Sequence, residues 1–112
     1  MYRIKLHKSC DINNIIKYGF KKFGSNYKLN VPLYRYKNTP VVSVNFVISE
    51  SCDYIGYDII DCNSGELYIH FYNREYSNSK NNVVLKKVFQ ELNIQLQKMK
   101  DEKVISEYKE IG

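Results

Sequence analysis

The chain has 112 residues, 44% hydrophobic and 26% charged, which is the size and balance of one globular domain spanning 1–112, able to bury a core without disulfides or metal. No apolar run approaches the roughly 18 residues that cross a membrane, and the alternating start Met1-Tyr2-Arg3-Ile4-Lys5-Leu6 lacks the apolar stretch of a secretion signal. The net charge of +5 is segregated: residues 1–40 carry nine Lys/Arg against Asp11, residues 41–76 carry Arg74 against six acids, and residues 77–112 carry seven Lys against five acids. Such asymmetry steers a charged partner.

In chain order, residues 2–7 read as a short strand with Ile4 and Leu6 on one face. Asp11 is placed to cap a helix carrying Ile12, Ile15 and Ile16, and Gly19 to stop it, with Phe20 and Phe23 as apolar anchors beyond. Residues 27–36 read as one or two strands, with Pro32 demanding a sheet edge or a bulge because it cannot donate to a ladder. Lys37-Asn38-Thr39-Pro40 is a turn. Val41 to Ser49 is the clearest strand, with Val42, Val44, Phe46 and Ile48 on one side. The loop 50–53 leads to a strand from Tyr54 to Cys62, the tight turn Asn63-Ser64-Gly65, and a further strand from Glu66 to Tyr72. A polar loop over 77–82 precedes a long amphipathic helix bearing Leu85, Val88, Phe89, Leu92, Leu96 and Met99, and the charged tail beyond Lys103 is expected to fray. The fold class is therefore α+β: an antiparallel sheet of about four or five strands, a short N-terminal helix, and a long C-terminal helix on one sheet face.

The turns propose a register. Pairing Ser49 with Tyr54 and Cys62 with Glu66 sets Phe46 by Tyr57, Val44 by Ile59, Ile59 by Ile69 and Tyr57 by Phe71, all on the face the long helix covers. The opposite face then carries Tyr54, Asp58, Ile60, Tyr68, His70 and Tyr72, with Asn45 and Val47, and with Tyr34 and Tyr36 beside them. An aromatic and polar face of this kind suits a protein partner, nucleic-acid bases, or a second copy of the chain. It is open only if the first helix does not pack over it.

Candidate chemistry is sparse. Asp58 and His70 are expected directly cross-strand, the beginning of an acid–base pair if the protein is an enzyme, although a plain hydrogen-bonded pair is the simpler reading. No catalytic motif and no glycine-rich phosphate loop is present, and nothing calls for a cofactor. His7 and Cys10 have the spacing of a zinc-ligand pair, but Cys52, Cys62 and His70 stand alone, so no metal site is expected. Three widely spaced cysteines fit a reducing cytoplasm. The basic first third interleaves cations and rings, with Arg3, Lys5, Lys21, Lys22, Lys28 and Arg35 among Tyr27, Tyr34 and Tyr36. That is what single-stranded nucleic acid requires, with the acidic stretch 50–66 opposing it.

The basic opening strand with Ile4 and Leu6, then Asp11-Ile12, then Lys17-Tyr18-Gly19-Phe20-Lys21, resembles the start of small accessory proteins from phages and prophages of low-GC Gram-positive bacteria. The absence of Ala and Trp and the excess of Lys over Arg match such an A/T-rich source. The resemblance implies a small accessory protein that binds, regulates or inhibits host machinery, of the anti-CRISPR or anti-defence kind. The function expected is a non-enzymatic inhibitor or regulator of a host protein or protein–nucleic-acid complex, acting by protein contact through the residues that the register puts forward, Tyr54, Tyr68, His70, Tyr72, Tyr34 and Tyr36. Nucleic-acid binding at the basic edge and a small-molecule site at Asp58 and His70 are the alternatives.

Overall fold

The computed structural model describes residues 2–51, 53–73 and 79–111. Cys52, and Ser77 and Asn78 of the expected polar loop, lie outside them. Five strands, β1 (Tyr2–Lys5), β2 (Lys21–Phe23), β3 (Asn26–Tyr36), β4 (Thr39–Ser49) and β5 (Tyr54–Asp61), form one antiparallel sheet in the order β1-β5-β4-β3-β2. The helices are α1 (Ile12–Tyr18), the single turn α2 (Ile69–Tyr72) and α3 (Ser79–Asp101), which starts within the stretch 77–82 expected to be a loop.

Alternation builds the core. Val44, Phe46 and Ile48 of β4 lie opposite Ile59, Tyr57 and Ile55 of β5, and these six, with Val42, are 0–1% exposed. Tyr27, Leu29 and Val31 of β3 extend the same face. Helix α3 lays Leu85, Val88, Leu92, Leu96 and Met99 over it, with Phe89 against Phe71 at 5.6 Å between centroids. Burying each such side chain contributes roughly 1.5–3 kcal/mol.

Helix α1 begins with a capping box, Asp11 accepting from the Asn14 N–H while Asn14 Oδ1 accepts from the Asp11 N–H, and ends at Gly19 with φ 131°. It lies on the α3 side of the sheet. Tyr18 sits beneath Lys98 of α3 at 5.6 Å, and Gly19 backs onto Leu29. Only Ile15 is buried; Ile12 and Ile16, expected to pack, are 44% and 54% exposed, since two turns offer the core a narrow stripe. The first helix therefore leaves the other sheet face open.

Three expectations are corrected. The stretch after Gly65 is not a strand. Four residues close the turn, so Asp61 rather than Cys62 meets Glu66 through its N–H, and Ile60 meets Leu67. Pairing stops at Tyr68, whose N–H donates to Ile59 O, because β1 already occupies the edge of β5 from Tyr54 to Tyr57. The chain then coils into α2, and the Tyr72 hydroxyl accepts the Ile59 N–H at 2.9 Å, satisfying the donor left between the two partners. Second, Phe23 is no core anchor: it lies on β2, a short edge strand absent from the sequence reading, and is 57% exposed. Third, the tail does not fray. Val104 and Ile105 are buried, Ile105 bridges to Leu6, and the Asn93 side chain clamps both backbone groups of Ile111 at 2.7 and 2.9 Å.

Candidate functional site: the open sheet face

Antiparallel partners project to the same side, so the register lays out the uncovered face as a grid. One row crosses all five strands: Arg3 opposite Gly56, Gly56 opposite Val47, Val47 opposite Lys28, Lys28 opposite Lys21. At about 4.8 Å per strand, four gaps make it about 19 Å long. The next row holds Lys5 opposite Tyr54 at one end, and Ser49, Asn26 and Phe23 at the other. On the far side of the long row lie Asp58, Asn45 and Asn30, then Ile60, Ser43 and Pro32.

The cations stand at both ends of the long row, and Gly56, between Arg3 and the central Val47, contributes no side chain. A concavity of about 270 Å³ forms there among Arg3, Val47, Ser49, Asp53 and Tyr54. Phe23 and Tyr54, 57% and 50% exposed, stand in the adjacent row, Phe23 on the edge strand β2 and Tyr54 on β5 beside the opposite edge. The Lys28 ammonium lies 5.9 Å from the Phe23 ring centre, so this ring already faces a cation. Asn30 reaches across two strand positions, its amide donating to Ser43 Oγ at 3.1 Å and to Asn45 Oδ1. The face thus offers four cations, two exposed rings and a line of amides, against Asp58 on the face and Asp53 at its rim.

The tyrosine cluster expected from the sequence is dispersed. The four-residue turn slips the register by one, which turns Tyr68 to the α3 side, where it is 7% exposed beside Tyr34. Burial first, then the Asp61 carboxylate and Tyr34, hold its hydroxyl above the usual tyrosine range. A bulge at Leu33 does the same to Tyr34, which falls opposite Val42 with Lys87 over its ring. Tyr72 spends its hydroxyl on Ile59. Tyr36 stands exposed at the β3–β4 hairpin tip under Lys37, where Lys37 and Asn38 supply the two positive φ values of the turn. Only Tyr54 of the six remains on the open face.

Asp58 faces Asn45, and no hydrogen bond among the described residues joins it to His70. His70 sits on α2 with its ring edge-on to Tyr68 at 5.3 Å and its buried Nδ1 without a partner. The acid–base pair is not assembled. Among the described residues no three His, Cys, Asp or Glu side chains are grouped to hold a metal ion.

Of the basic set, Arg3, Lys5, Lys21 and Lys28 share the open face. Lys22 points to the other side of β2, opposite Tyr27, and Arg35 binds Asn38 O at the hairpin tip. Sequence reasoning missed the role of Phe23 because it missed β2. The signal was there: Gly24-Ser25 between Lys21-Lys22-Phe23 and the next strand is a two-residue hairpin turn, and Gly24 has φ 60°.

No protein-family model matches the chain, and no curated protein does. No helix among the described residues is long and apolar enough to cross a membrane. Among solved structures, the chain is similar to a DUF1831 family protein from Lactobacillus plantarum, at 11% identity and a TM-score of 0.65, covering 90% of this chain and 82% of that one. The likeness is one of fold: an α+β domain with a five-stranded antiparallel sheet, a short helix and a long C-terminal helix.

Proposed function

We propose that this domain is a non-enzymatic binding module that takes single-stranded nucleic acid on its open sheet face. The observation that carries the reading is the row Arg3, Gly56, Val47, Lys28, Lys21, which sets cations on both sides of a shallow centre across an uncovered sheet, with Tyr54 and Phe23 in the adjacent row. Phosphates find their charges at the row's ends, and bases find flat rings that accept any sequence. A protein partner fits less well. Interface cores are poor in Lys, whereas Lys5, Lys21 and Lys28 stand on this face and Val47 lies between Gly56 and Lys28.

The test is fluorescence anisotropy with labelled DNA and RNA strands of about 12 nucleotides, a length suited to small stacking platforms. Tyr54→Ala and Phe23→Ala, both exposed, should each weaken binding roughly five-fold or more, since a stacked base contributes about 1–3 kcal/mol. No binding at low salt, or alanine variants that bind like the parent, would refute the proposal.

A further inference from the structure

A second cavity, of about 580 Å³, opens between the outgoing end of β1 and the C-terminal turn of α3. Its walls are stitched together. The Ser106 N–H and hydroxyl both donate to Lys5 O at 3.1 and 3.0 Å, and the His7 N–H donates to Val104 O at 3.0 Å. Leu6 and Ile105, both buried, form its floor.

Four lysines line it, Lys5 and Lys8 from one wall and Lys100 and Lys103 from the other, with two acids, Asp101 and Glu107. Both carboxylates are engaged. Glu107 pairs with Lys100 at 3.2 Å, and Asp101 accepts from the Gln97 amide at 2.9 Å. Among the described residues no carboxylate lies within ion-pair distance of Lys5, Lys8 or Lys103. The C-terminus of α3 accounts for cations in its own last turn, but not for Lys5 and Lys8 arriving on the opposite wall. His7 also lines the cleft, its Nδ1 within hydrogen-bond distance of the Ser9 N–H at 3.1 Å and of the Ser9 hydroxyl at 2.7 Å.

Lys103 occupies a position that suits glycine. Val104 N–H binds Met99 O, Lys103 N–H binds Lys100 O, and Lys103 has φ 60°, the left-handed residue of a Schellman ending. A side chain there is strained where glycine is not. Lysine stands at this strained site beside an uncompensated cluster of its own charge.

We infer that this cleft is a phosphomonoester site. The four lysines and two acids leave a net +2, which matches the charge of about −2 on a phosphomonoester near neutral pH. The source is either a free mononucleotide or the terminal phosphate of a strand on the open face, which Lys5 borders. The site stands whether or not that face binds a strand.

Titration of the protein with adenosine 5′-monophosphate and with adenosine, followed by calorimetry and by the amide resonances of His7 and Ser106, tests it. The monophosphate should bind and adenosine should not. Lys8→Ala should weaken binding about five-fold or more. Lys103→Gly should do the same while raising Tm by a few degrees, so that lost binding is not lost folding. Equal response to the two ligands, or undiminished binding by Lys103→Gly, overturns the inference. Strands ending in a phosphate or a hydroxyl then separate the sources: a preference for the phosphate that Lys8→Ala abolishes places a strand's end in the cleft, and monophosphate binding without that preference assigns the site to a free ligand. Oligonucleotide binding with no response to the monophosphate and no end preference leaves the open face standing and the cleft refuted.

Discussion

Replacing Lys21 and Lys28 together by alanine isolates the electrostatic part of the proposed interface. Both side chains are exposed and lie at one end of the long row, opposite each other on β2 and β3. The fold should scarcely notice, since exposed substitutions of this kind stay within about 0.5 kcal/mol. The lost contact of Lys28 with Phe23 adds no more than about 1 kcal/mol. Binding should change in a specific way. With four cations on the face, each meeting one phosphate, log K should fall against log salt with a slope of about −2.8 for a single strand. Removing two cations should halve the slope to about −1.4. Raising salt from about 50 to about 200 mM would then weaken the parent roughly 50-fold and the double variant roughly 7-fold. Anisotropy titrations at four salt concentrations measure both slopes. Equal slopes would show that Lys21 and Lys28 meet no phosphate, and the row would lose its meaning.

The remaining predictions concern the frame that holds the face. Tyr18 carries a buried hydroxyl with no partner, and burial, with Glu102 second, pushes its pKa up to about 12. Unfolding frees that hydroxyl to ionise near 10, so on its account stability is level below pH 10 and falls as pH rises from 10 towards 12. Tyr18→Phe should raise stability by about 1 kcal/mol at neutral pH by removing an unpaired buried group, and should flatten the decline between pH 10 and 12 in thermal melts; an unchanged alkaline decline would contradict the assignment. Asn93→Ala should cut both bonds to Ile111, cost about 1–2 kcal/mol, and speed amide hydrogen exchange across 104–111 while leaving the β3–β4 ladder protected. Exchange that stays slow in the tail would show that the clamp is not what holds it.

What the sequence made legible is the part written in periodicity. The apolar alternation of β4 and β5 and the stripe from Leu85 to Met99 bury as read, Phe89 only in part, because each is long enough for its period to be unambiguous. What it concealed turned on single residues. One extra residue in the turn after Asp61 moved Tyr68 across the sheet, and one bulge at Leu33 moved Tyr34. In a structure of period two, each slip reverses every face assignment beyond it. Two edge effects were also invisible. The competition of β1 and residues 66–68 for the same side of β5 depends on pairing 50 residues apart, and the docking of Ile105 on Leu6 joins the two ends of the chain. Of the basic residues, Arg3, Lys5, Lys21 and Lys28 come to lie on the open face, Lys21 through the unread strand β2, while Lys22 and Arg35 fall elsewhere.

The central claim is that a strand lies along the open face, and amide chemical-shift mapping tests it most directly. Titration of the labelled protein with a short single-stranded oligonucleotide should move Arg3, Gly56, Val47, Lys28 and Lys21 together with Tyr54 and Phe23, and leave Leu92, Leu96 and the hairpin tip at Lys37 unmoved. Shifts confined to α3 or to the hairpin tip, with the long row silent, would contradict it.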